Sequence, residues 1–162
     1  MLKRVRTKTG KAGDASFAIV ASRYNVRYVD AMVRAARAEL KRAGAAKVEV
    51  FRVPGAYEIP VVAARLARTG SAHTARFAVI ICLGVILRGE TVHATHIGEA
   101  VSRALMELQV KYEVPVVHEV LLLENEQQAR ARCLSRTHNR GTEAAQTALA
   151  MAAVIERLEK SF

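Results

Sequence analysis

The chain has 162 residues, 51% of them apolar, and a formal net charge of +10; this is the size of one domain, and folding would bury roughly 70% of the surface its unfolded form exposes. No stretch reaches the ~18 uninterrupted apolar residues of a membrane span, and the basic start MLKRVRTKTGKAGDAS has no apolar leader behind it, so a cytoplasmic protein without a membrane partner is expected. The charge attracts anions of any kind, but no aromatic residues are interleaved with the arginines as platforms for bases, so a solvated basic surface is favoured and no specific nucleic-acid partner is expected.

Residues 1–15 are polar and basic and read as a flexible arm; residues 16–162 read as one domain. Ser16 to Ala21 is an apolar run suited to a buried strand, and it breaks at the turn Ser22-Arg23-Tyr24-Asn25. From Tyr28, the positions Val29, Met32, Val33, Ala36 and Leu40 follow a helical period that Gly44 is placed to end. Lys47 to Val53 alternates as a strand, Pro54-Gly55 stops it, and Val61, Val62 and Leu66 resume a helix ending near Gly70. Phe77 to Leu87 is nearly all apolar, as a parallel strand covered on both faces must be, and its helix begins about Val92. Val114 to Leu123 is a fourth strand with Pro115 at its start. Helices over Glu126–Leu134 and from Thr142 to about Leu158 close the chain. Repeated strand-helix alternation with right-handed crossovers predicts an α/β fold, a parallel four-stranded sheet between two helix layers.

Ligands of such a sheet bind beyond the carboxyl ends of the strands, so the four turns that follow them carry the candidates. Gly89 gives room for a ligand, and the free N–H groups at the start of the next helix suit an anion. His93 at that junction suits proton transfer near neutral pH, or else caps or packs the first helical turn. Glu58 and Glu90 are either site carboxylates or carboxylates favoured by a helix start. Tyr24 and Tyr57 offer faces for a flat ring or pack a strand end, and Arg132 and Arg140 bind a phosphate or belong to the basic surface. His93 and His96 are three apart but have no third ligand nearby, so no metal site is expected. Cys82 and Cys133 lack metal-ligand spacing and read as reduced and structural.

Taken together, IVASRYN (19–25), VPGAYEIP (53–60), LGVILRGETVH (83–93), PVVHEVLLLENEQQA (115–129) and NRGTEAA (139–145) resemble the lumazine synthase family over nearly the whole chain. The resemblance implies a flavodoxin-like sandwich with strand order 2-1-3-4. It implies a homopentamer, or a 60-mer shell of pentamers, with active sites shared between adjacent subunits. The implied reaction condenses two small-molecule substrates, 5-amino-6-(D-ribitylamino)uracil and 3,4-dihydroxy-2-butanone 4-phosphate, with no metal or organic cofactor. By position, Tyr24 matches the residue that stacks on the pyrimidine, and Ala56, Tyr57 and Glu58 match the segment holding the ribityl chain. Val85, Ile86 and Leu87 would present backbone groups to the uracil, Glu90 and Thr91 fall in the phosphate loop, and Arg132 is its principal cation. His93 matches the proton-transfer residue, and Arg140 stands where many members carry Lys. Two departures stand out: His118 replaces a Phe that a neighbouring subunit lends across the uracil, and Ala94-Thr95-His96 replaces a common FDY. A catalytically weak flavin- or lumazine-binding paralogue is the alternative those departures suggest; a basic nucleic-acid-binding protein is a further one.

Overall fold

A computed structural model describes residues 11–68 and 76–161. Four strands, β1 (Ser16–Ser22), β2 (Lys47–Val53), β3 (Val79–Leu87) and β4 (Val116–Leu123), form one parallel sheet in the order β2-β1-β3-β4. The helices are α1 (Val26–Arg42), α2 (Ile59–Arg68), α3 (His93–Tyr112), α4 (Glu126–Ala129) and α5 (Arg140–Glu159). Alternation along the strands divides the core in two. Phe17, Ile19, Ile81, Leu83 and Val117 pack on the side of α1 and α5, while Ala18, Val20, Ile80, Cys82 and Val120 pack on the side of α2 and α3. This is the three-layer α/β/α sandwich: the central strands β1 and β3 are covered on both faces and apolar inside, while the outer strands β2 and β4 carry Lys47, Glu49, Arg52, His118 and Glu119.

Local chemistry sets the element ends. β4 starts at Val116 rather than Val114 because Pro115 has no N–H to give to the ladder, although its carbonyl still accepts from Ile80. Gly44 ends α1 in the left-handed conformation as the spacing predicts. α1 itself begins at Val26, two residues earlier than its apolar period, because the Asn25 carbonyl already accepts from Tyr28 and Val29. α2 begins at Ile59 after a 3-10 turn over Ala56–Glu58, and its expected end near Gly70 lies outside the described residues. The segment expected as one helix over 126–134 is a single α turn running into a π turn over Arg130–Leu134.

α5 starts at Arg140 rather than Thr142, since Asn139 accepts from the Gly141 N–H and caps it. Gly141 is required there: a Cβ would stand 2.0 Å from the Met32 carbonyl oxygen, so only glycine lets α5 cross α1 this closely. The two helices are also tied by buried Glu39, which accepts from Arg42 on its own helix and from Gln146 on α5. Of the arm expected over 1–15, residues 1–10 lie outside the described residues. The remainder packs: Ala12 is buried and donates its N–H to the Ala43 carbonyl at 2.8 Å.

Candidate active site

The turns after β1 and β2 are laced together at the carboxyl edge of the sheet. Arg23 donates its N–H to the Val53 carbonyl at 2.9 Å, and Tyr24 donates to the Pro54 carbonyl at 3.2 Å. The Tyr24 ring is 73% exposed, yet one ring carbon lies only 3.4 Å from where a Cβ on Gly55 would stand. Glycine at 55 therefore lets a flat ring lie against backbone. The Gly55 N–H donates to the Glu58 carboxylate at 2.8 Å, so Glu58 closes the 3-10 turn that carries buried Ala56 and exposed Tyr57.

β3 outruns β1, since their register ends at Ala21 opposite Leu83. Backbone groups of alternate residues beyond that point, Val85 and Leu87, have no strand partner on the β1 side. Asn25 fills part of the gap: held at φ 53°, which Asn tolerates, it donates its side-chain amide to the Val85 carbonyl at 2.8 Å. Among the described residues the Leu87 backbone on the same edge has no strand partner toward β1. Beyond it, Arg88 donates its N–H to the Leu123 carbonyl and its guanidinium pairs with Glu124 at 3.0 Å, which joins the last two turns.

Glu90, Thr91 and His93 are all exposed in the loop and the first turn of α3. A side chain at Gly89 would meet nothing within 4 Å, so this glycine contributes room rather than a special backbone shape. α3 begins after Val92 with no side-chain cap, whereas Asn125 caps α4 and Asn139 caps α5. Among the described residues no N-cap side chain takes up the first N–H groups of α3, an arrangement suited to an anion. His93 neither caps nor packs: it is exposed and makes no side-chain hydrogen bond among the described residues.

His118, Arg132 and Arg140 form a different group. His118 sits opposite Cys82, five residues before the end of β4, or roughly 16 Å back along the strand at ~3.3 Å per residue. It faces α3, where its Nε2 lies 2.9 Å from the Ser102 hydroxyl. Glu119, next in the strand, faces α5 instead and accepts from Arg140 Nε at 3.1 Å, while the same guanidinium donates to Glu143 at 2.7 Å. Burial pushes the Glu119 carboxyl up to about 7 even though Arg140 pulls it down. At Arg140 the balance is opposite: burial works against the charge, but the two carboxylates outweigh it and the guanidinium stays charged. Arg132 is exposed on the π turn and forms no ion pair among the described residues. No hydrogen bond or ion pair among those residues joins this group to the turns at the carboxyl edge.

A family model described as 6,7-dimethyl-8-ribityllumazine synthase matches residues 14–156, which takes in both groups. The chain belongs to that family. Proteins named 6,7-dimethyl-8-ribityllumazine synthase from Stenotrophomonas maltophilia (strain R551-3) and Xanthomonas oryzae pv. oryzae (strain PXO99A) are 42% and 41% identical to it over 146 residues. These alignments cover 89% of this chain and 91% and 92% of those relatives. One from Xanthomonas campestris pv. campestris (strain B100) is 40% identical over the same share of the chain.

Within this family frame, the structure adds residues that the sequence reading passed over. Asn25 was visible only as a turn residue, and its bond to Val85 spans 60 positions. Glu119 did leave a signal, a lone carboxylate inside the apolar run VVHEVLLL, and Ser102 left none. Both cysteines are buried free thiols, and burial holds Cys133 up at about 11 and Cys82 higher still, so neither offers a thiolate. Among the described residues, no three His, Cys, Asp or Glu side chains converge as a metal would require, and no helix is long and apolar enough to cross a membrane.

Proposed function

We propose that the chain condenses 5-amino-6-(D-ribitylamino)uracil with 3,4-dihydroxy-2-butanone 4-phosphate to give 6,7-dimethyl-8-ribityllumazine, the penultimate step of riboflavin biosynthesis. The observation that carries this reading is the family match over all four strand-end turns together. The substrate amine attacks the ketone carbonyl and water leaves; phosphate then departs, and the second amine closes the ring with loss of another water. Each bond change needs proximity and proton movement and no redox partner, so neither a metal nor an organic cofactor enters the scheme.

Tyr24, lying over Gly55, stacks on the pyrimidine, and the Ala56-Tyr57-Glu58 turn borders the ribityl chain. At the end of β3 the Leu87 backbone is offered to the uracil, beside Val85, whose carbonyl Asn25 holds, and Ile86, which pairs toward β4. Glu90 and Thr91 shape the loop in which the phosphate meets the start of α3, and Arg132, in no ion pair among the described residues, is its cation. His93, unencumbered at that same helix start, moves protons in the later steps. His118 and Arg140 serve the site of a neighbouring subunit. The distance of His118 from the turns of its own chain supports this sharing, and with it a homopentamer that is itself a candidate unit of a 60-mer.

The test is to mix the two substrates and follow lumazine absorbance. Product formation is expected; tight lumazine binding with no product at high enzyme concentration would instead establish the weak paralogue suggested by His118 and Ala94-Thr95-His96. The nucleic-acid reading loses ground because Arg42, Arg52, Arg76, Arg88, Arg130 and Arg140 are each committed to a carboxylate. Binding to DNA or RNA that vanishes with salt is expected of the remaining surface.

A further inference from the structure

On the α3 side of β4, a groove of about 300 Å³ is lined by Ser102, Leu105, Met106, Gln109, Val116 and His118. No charged residue lines it, and Glu119, the neighbouring titratable group on β4, faces the opposite side of the sheet with Arg140. The Ser102 hydroxyl makes two contacts there, 2.7 Å to the Gly98 carbonyl one turn back and 2.9 Å to His118 Nε2. A hydroxyl has one proton and a carbonyl has none. If that proton went to His118, the 2.7 Å contact to Gly98 would hold two oxygens with no hydrogen between them, which is repulsive. Only one assignment satisfies both: Ser102 donates to Gly98 and accepts from an Nε2–H of His118.

We propose that Ser102 is a positioning residue that fixes the His118 imidazole as its Nε2–H tautomer, holding the ring plane for contact with substrate in a neighbouring subunit's site. This rests on the synthase reading for what the ring touches. A phenyl ring at 118 would need no such tether, because it has no tautomer and no polar edge to satisfy. An imidazole is smaller and polar, and left free it would turn its nitrogens toward water, so the tether makes it usable as a stacking face. Nδ1 remains as a lone-pair acceptor. Protonation leaves the tether intact, since Nε2 donates in both charge states.

The experiment combines Ser102→Ala, Ser102→Thr and His118→Phe with nitrogen-15 spectra of histidine-labelled protein, His118→Phe identifying the signal. In the wild type, Nε2–H shifts are expected, and Ser102→Ala should move them toward a tautomer mixture. In turnover assays, Ser102→Ala should raise KM for the pyrimidine about three- to tenfold, the scale of one neutral hydrogen bond, with a smaller change in kcat. Ser102→Thr keeps the hydroxyl and should restore KM. In a His118→Phe background, Ser102→Ala should have no further effect. An Nδ1–H tautomer in the wild type, an unchanged KM in Ser102→Ala, or the same rise in the His118→Phe background would each overturn the assignment. The spectra need no turnover, so a wild type that makes no product would sink the synthase reading without deciding the tautomer.

Discussion

The carboxyl edge of β1 to β3 and the flank of β4 are built on opposite plans. The first is open: among the described residues Leu87 has no strand partner toward β1, α3 starts without a side-chain cap, and a side chain at Gly89 would meet nothing within 4 Å. The flank of β4 is closed, with Arg140 gripped by two carboxylates and Gly141 jammed against α1. One region keeps its donors for something outside the chain, and the other spends them internally to hold a few side chains still. The sharing of sites between subunits proposed above asks for that division, because a part lent to a neighbour must be stiff before the neighbour arrives.

Glycine substitutions should expose the contrast most strongly. Gly141→Ala is expected to cost more than about 3 kcal/mol, because the ~1 kcal/mol that alanine gains as a helix former cannot offset a Cβ placed 2.0 Å from the Met32 oxygen. Gly89→Ala should stay within about 0.5 kcal/mol, both read from urea unfolding midpoints. Comparable losses at the two positions would break the comparison.

The next effect is one of pH. Glu119 keeps its proton up to about pH 7 in the folded chain, against an ordinary value of 4.5, so between those limits the unfolded chain binds fewer protons. Stability from this group is therefore full below that window and falls as pH rises through it, by on the order of 3 kcal/mol. Glu119→Gln should flatten the decline in a series of unfolding curves from pH 4 to 8. A wild type that grows more stable over that range with no change in the variant would contradict the buried-carboxyl assignment.

At the open edge, His93→Ala should lower kcat about ten- to a hundredfold while pyrimidine binding, followed by fluorescence or calorimetry, is largely kept. The smallest shift belongs to Arg132→Ala, which should raise KM for the phosphorylated substrate about tenfold and leave the pyrimidine unaffected. Equal losses of pyrimidine affinity in both variants would erase the division of labour between proton transfer and phosphate binding.

Much of this was written in local pattern. The apolar runs ending at Ala21 and Leu87 read as strands because burial on both faces leaves no polar position inside them, the run ending at Leu123 is broken only by His118 and Glu119, and the one ending at Val53 reads by alternation. Gly44 marked the end of α1 and Pro115 the start of β4 for stereochemical reasons that need no tertiary knowledge. What stayed hidden depends on partners far along the chain. Asn139-Arg140-Gly141 reads as a turn until α1 is set beside it, when Gly141 becomes the crossing point of two helices. Glu58 sits near a helix start in either account, and only coordinates show its carboxylate on the Gly55 N–H. Arg132 and Arg140 look alike in an arginine-rich sequence, yet among the described residues one forms no ion pair and the other is held twice.

The bare start of α3 also bears on how the protein responds to its environment. A side-chain cap contributes about 1 kcal/mol to a helix, and α3 lacks the one that Asn125 and Asn139 give to α4 and α5. Its first turn is therefore the least anchored of the three, and an anion docking there supplies the missing partner. Order in the His93 turn is thermodynamically linked to occupancy: phosphate or a phosphorylated analogue should raise the melting temperature with concentration. In the proposed reaction the same linkage would let phosphate release loosen the turn that carries His93.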